Sequence, residues 1–111
     1  MSDFDKSEYW FDGAEYDLQT ARAMLETKRF LYVGFMCHQT VEKALKGVFV
    51  CREPEQELPY IHKLKRLANL SGISDEMDPS QLALLDVLSP LNIEARYPLY
   101  RSLLLESLTP E

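Results

Sequence analysis

Apolar residues recur at helical spacing along most of this 111-residue chain, and two long stretches carry the clearest pattern. Near the start, Trp10, Ala14, Leu18, Ala21 and Leu25 follow one another at steps of three or four. That is one buried stripe of a helix running from about Lys6 or Ser7 to Thr27. Ser7 or Asp5 can cap its start, and Asp12, Glu15 and Asp17 lie towards its positive end. The second stretch runs from Phe30 to Cys51 or Arg52, with Val33, Cys37, Val41, Leu45 and Val48 on one stripe and Phe35 and Phe49 beside it. A helix apolar around most of its girth belongs at the centre of a bundle. Only Lys28 and Arg29 separate the two stretches, so they form an antiparallel hairpin.

Shorter elements follow. Pro54 and Pro59 bracket an acidic loop, Glu53 to Leu58, and the next helix turns Ile61, Leu64, Leu67 and Ala68 inward. Ser71-Gly72 ends it, because glycine takes the left-handed cap conformation without strain. Asp78-Pro79-Ser80-Gln81 is a helix start, with Asp as N-cap, Pro at the first helical position and Gln at the third. Pro90 then falls inside the pattern, giving either a kink or a stop near Leu88 with a restart capped by Ser89. The unbroken register of Leu82, Leu85, Leu88 and Leu91 favours the kink. Pro98 ends the element at Tyr97. Thr109-Pro110-Glu111 has the signature of one more helix start, followed at once by the end of the sequence. Leu99, Leu103, Leu104, Leu105 and Leu108 either cover the core there or pack on a partner. The pattern predicts an all-α, up-and-down antiparallel bundle of four to five helices. It forms a single domain over residues 1–111, with its last helix cut short.

The composition narrows the function. At 46% hydrophobic and 27% charged the chain reads as an ordinary globular protein. Its net charge of −6 argues against broad affinity for nucleic acid, and no DNA partner is expected, although a local basic site remains compatible. No run approaches a membrane span, and the acidic start is unlike a signal peptide, so a cytoplasmic location away from membranes is expected. Cys37 and Cys51 on one helix stand about 21 Å apart, beyond disulfide reach, and serve as packing residues.

Polar groups on the second helix carry the candidate chemistry. His38 and Glu42, Gln39 and Lys43, and Glu42 and Lys46 each stand one turn apart. His38 can act as a general acid or base with Glu42 orienting its ring, or it is a packed histidine bonded to a neighbouring helix. Lys43 and Lys46 with Gln39 form a small phosphate-binding face, or else a solvated one. Arg96 sits where its helix ends, where its planar fork can grip phosphate or simply satisfy the last carbonyls. His62 lies near a helix start, suited to capping or binding across helices. Asp17, on the inner side of the first helix, needs a cation or hydroxyl partner, with Arg96, Lys43 and His38 as the choices. No glycine-rich phosphate loop, metal-ligand cluster or Ser-His-Asp arrangement is visible, so neither a metal nor a cofactor is expected.

Four blocks in order resemble the HEPN family, small prokaryotic helical domains often paired with minimal nucleotidyltransferases. They are Trp10-x3-Ala14-x2-Asp17-Leu18-x2-Ala21, His38-Gln39-x2-Glu42-Lys43-x-Leu45-Lys46, Ile61-His62-Lys63-Leu64-x2-Leu67 and Ala95-Arg96-Tyr97-Pro98. The resemblance implies a bundle of about five helices, usually a homodimer. It also implies either a metal-independent ribonuclease, in some cases the toxin of a toxin–antitoxin module, or a noncatalytic unit that binds nucleotides or RNA. The ribonuclease motif of the family is an Arg followed, after four to six residues, by a His. Here Arg101, Ser102 and Leu103 occupy those positions after Arg96, and neither histidine follows it. The resemblance therefore favours a nucleotide- or RNA-phosphate-binding component of a toxin–antitoxin-like module with a nucleotidyltransferase partner. Its ligand-binding residues would be Gln39, Glu42, Lys43, Lys46, His62, Arg96 and Tyr97. The alternatives are a ribonuclease toxin with His38 and Arg96 as catalytic residues, and a noncatalytic dimeric protein-interaction module.

Overall fold

A computed structural model describes residues 3–61 and 63–92. Helix α1 spans Asp3–Glu26 and α2 spans Phe30–Arg52. Two short helices follow, α3 over Leu64–Ser71 and α4 over Pro79–Leu88, with 3-10 turns at Ile73–Glu76 and Ser89–Asn92. No strand occurs among the described residues, and the fold is an all-α helical bundle.

The hairpin closes as its short connection requires. Lys28 adopts a left-handed φ of 61°. The Lys28 N–H then donates to the Leu25 carbonyl, and Arg29 N–H donates to that of Met24. This is the two-bond termination usually built on glycine, here carried by a lysine. Contacts across the hairpin run in opposite senses, Asp17 with Lys43 and Phe11 with Gly47, so the helices are antiparallel.

The buried face of α1 differs from the expected stripe. Ala14 and Ala21 are buried as predicted, but Leu25 is 53% exposed in the last turn, beside the hairpin connection. Trp10 and Leu18 are only half-buried, and the remaining buried positions are Ser7 and Asp17. Helix α1 also begins upstream of Ser7 and Asp5, so Ser7 is an interior residue and neither caps the helix. Small residues along this line let α1 approach α2 closely, and its larger side chains lie to the flanks.

On another side of α2, Leu45 joins Leu64, Leu67, Ala68, Leu85 and Leu88 in the main apolar core, with Cys37 and Val41 packed against it. Helix α2 therefore stands between α1 and the α3–α4 pair, the central position its girth predicted. Gly72 ends α3 with φ 81°, as expected. Asp78 and Gln81 form the predicted reciprocal cap of α4. The expected kink at Pro90 is corrected: α4 stops at Leu88 and tightens into a 3-10 turn that contains the proline. Proline supplies no N–H to continue the α pattern, and the tighter turn still keeps Leu85 and Leu88 in the core with Leu91 against it. The element end expected at Pro98 and the leucines after it lie outside the described residues. Among the described residues no helix is long and apolar enough to cross a membrane.

Candidate functional site

The deepest face of α2 carries charge. At 3.6 residues per turn, His38, Glu42 and Lys46 form a line that lies between two other faces of the helix. One of these is the Cys37–Val41–Leu45 face that meets the apolar core, and the other is the Lys43–Gly47 face that meets α1. His38 is 0% exposed, and Glu42 and Lys46 are nearly as buried. The Lys46 ammonium donates to the Glu42 carboxylate at 3.1 Å, and the other oxygen of Glu42 lies 3.9 Å from His38 Nδ1. Lys46 also stands 5.4 Å above the centroid of the Trp10 indole, whose electron-rich face favours a cation. Tyr9 meets the same indole edge-on at 5.4 Å.

A second pair ties the two long helices together. The Lys43 ammonium donates to Asp17 at 2.5 Å, which answers the question of which cation meets that inward carboxylate. Gly13 makes room for it: a Cβ there would stand 3.3 Å from Lys43 Cδ. Asp17 is nearly buried while Lys43 keeps 30% of its side chain exposed. That exposed part faces a recess of about 300 Å³ lined by Tyr9, Trp10, Asp12, Gly13 and Lys43.

Burial also raises the Cys37 thiol above its usual 9.0, because the thiolate would lose its hydration. Cys37 and Cys51 are both free thiols, and among the described residues no group of His, Cys, Asp and Glu could hold a metal.

The structure thus gathers His38, Glu42, Lys43 and Lys46 on α2 with Asp17 and Trp10 of α1. Gln39 is half-buried one turn before Lys43 on the same helix. His62, Arg96 and Tyr97 lie outside the described residues. The sequence placed Trp10 in an apolar stripe and in the first of the four blocks, with no partner of its own. Its role as a platform for Lys46 depends on helix pairing, which no local spacing reveals.

A model of the HEPN domain matches residues 7–110. The chain belongs to the HEPN family. No curated protein and no solved structure matches it. Three of the four blocks that carried the resemblance now have places in this HEPN domain. The first is on α1, the second forms the polar line and lysine face of α2, and the third leads into α3. The block at Arg96 lies outside the described residues.

Proposed function

We propose that this HEPN protein binds the phosphate of a nucleotide or of RNA at the α1–α2 rim. In this reading it acts as a homodimer within a two-component, toxin–antitoxin-like module whose other half is a small nucleotidyltransferase. The observation that carries the binding reading is Lys43, a lysine paired with Asp17 whose side chain is partly exposed on a recess that Tyr9 and Trp10 also line. An ammonium beside aromatic rings suits a ligand with a phosphate at one end and a flat base at the other. Lys46 serves this site indirectly, by holding Glu42 and the Trp10 ring in place. Gln39, His62, Arg96 and Tyr97 join it on sequence grounds alone.

Burial weighs against the ribonuclease alternative. A general acid or base has to reach the proton it transfers, directly or through one water. His38 has no exposed surface, so the residues packed around it would have to move before RNA could touch it.

Nucleotide titration followed by thermal shift tests the binding reading. Wild type should be stabilised by mononucleotides, and Lys43→Gln and Arg96→Ala should each lose most of that shift. Equal shifts in wild type and both variants would remove the site assignment. Affinity co-purification at native expression level tests the partner, with recovery of a small nucleotidyltransferase as the expected result.

The protein-interaction alternative has its own support in Tyr9, Tyr16, Leu25 and Tyr32, all exposed on the α1–α2 hairpin. Self-association or protein capture with no nucleotide shift at all would favour it.

A further inference from the structure

Away from the α1–α2 rim, the residues around the start of α3 build a second and larger cleft. Lys63, Lys65 and Arg66 fall within four consecutive positions and account for three of the 12 Lys and Arg residues in a chain of net charge −6. All three line a groove of about 1110 Å³ between α3 and the 3-10 turn at Ser89–Asn92. The placement follows from helix geometry. Leu64, Leu67 and Ala68 commit one face of α3 to the core, which leaves residues 65, 66 and 69 on the other, with the exposed Lys63 just ahead of them as the N-cap. Lys65 is held by Asp86 of α4 at 3.1 Å, with both side chains more than half exposed. Among the described residues no carboxylate pairs with Lys63 or Arg66, in contrast to Lys43 and Lys46. Tyr60 stands at the groove with 93% of its surface exposed, and Asn69 and Asn92 add neutral hydrogen-bonding groups.

Cations at short intervals beside an exposed aromatic ring are what a single polynucleotide strand needs. Charges neutralise successive phosphates while a base stacks on the ring, whatever its identity. Two observations make a strand a better fit than an isolated phosphate. The groove is several times larger than the Lys43 recess, and its two cations without a carboxylate partner stand three positions apart, Lys63 at the N-cap of α3 and Arg66 in its first turn.

We propose that Lys63 and Arg66, with Tyr60 as a stacking platform, bind a single-stranded nucleic acid across the α3 groove. This strand site is separate from the Lys43 recess and stands whether or not that recess takes a nucleotide. Lys65 contributes less, because a phosphate there has to compete with Asp86.

Fluorescence anisotropy with labelled single strands of about 12 nucleotides, RNA and DNA of the same sequence, tests the site at low salt. The double variant Lys63→Gln/Arg66→Gln changes exposed side chains only, and an unchanged melting temperature will verify its fold. Affinity should fall about tenfold or more, and the log–log salt slope should shrink by about 1.4, the amount set by two lost phosphate contacts on a single strand. Tyr60→Ala should weaken binding without altering that slope. Preference for RNA over DNA would show that the sugar is read, and equal binding that only backbone and bases are. Either result supports the proposal if both variants behave as stated. Absence of strand binding by wild type, or equal affinity in the double variant, overturns it. So does binding to anionic phosphatidylglycerol vesicles, lost in the double variant, without any binding to the oligonucleotides. Mononucleotide thermal shifts of Lys43→Gln and of the Lys63→Gln/Arg66→Gln variant, measured in parallel, assign any shift to one cleft or the other, so the two readings fail separately.

Discussion

The Lys46 ammonium lies 3.1 Å from the Glu42 carboxylate, with more than nine-tenths of both side chains buried. Removing one partner strands the other charge away from water. Glu42→Ala should therefore destabilise the fold by about 3–5 kcal/mol in urea unfolding. Replacing both by apolar residues, as in Glu42→Leu/Lys46→Met, should recover most of that loss. If the double variant is as unstable as the single, the pair is not the reason for the cost.

Phe11 lies so close over Gly47 that a Cβ at residue 47 would stand 2.6 Å from its ring. Gly47→Ala should destabilise wild type by about 1–2 kcal/mol, since the ring has to move outward from a packed position. In a Phe11→Ala background the same change should stabilise the helix, by up to about 1 kcal/mol from alanine's higher helix propensity. The reversal of sign between backgrounds is the measurement that matters, and a cost that persists without the ring contradicts the geometry.

Lys28 holds a left-handed conformation at the hairpin turn. A side-chain Cβ in that region carries a penalty of about 1–2 kcal/mol that glycine avoids. Lys28→Gly should raise stability by roughly 1 kcal/mol, while Lys28→Val should lower it. A thermal melt of the three proteins decides the point, and an order other than Gly above Lys above Val goes against it.

Asp78 accepts hydrogen bonds from Ser80 and from the Gln81 backbone, and these hold its carboxyl below the usual 3.8. Because the folded value is the lower one, the stabilisation is fully present above the unfolded value near 3.8. It is lost as pH falls through the folded one. Asp78→Asn keeps a capping oxygen but removes the titration. Its stability should lose less between pH 5 and pH 2 than that of wild type, and parallel pH profiles for the two would refute the assignment.

Local chemistry was the part of this fold most legible in the sequence. The Asp78–Gln81 cap, the glycine end of α3 and the limits of α2 all rest on contacts within a few residues, and all were read correctly. Two local features were misread, the start of α1 and the stop before Pro90, and the other misreadings came from tertiary competition. Leu25 fits the α1 stripe by spacing, but burial follows the line through Ala14, Asp17 and Ala21, where small residues let α2 come near. Of the stripe from Val33 to Val48, Cys37, Val41 and Leu45 meet the apolar core, yet α2 has neighbours on several sides, and hydrophobicity alone does not rank them. Pairing of Lys43 with Asp17 was open among three cations until the hairpin register selected one. The α3 cations escaped notice because each is ordinary alone. Only the groove that collects them makes them a group.

The central position of α2 has a consequence for communication within the molecule. The recess beside Tyr9 and the groove beside Tyr60 share no lining residue, and they open on helices that pack on different sides of α2. Within the described residues the two clefts are linked through α2, a helix fixed by an apolar core on one side and by Asp17–Lys43 on another, and through the 53–58 loop, which shares a recess with Tyr9 and Trp10 and leads on to Tyr60. Cooperativity between occupancies of the two clefts would therefore be a readout of movement in α2 or in that loop, and its absence would show both to be rigid.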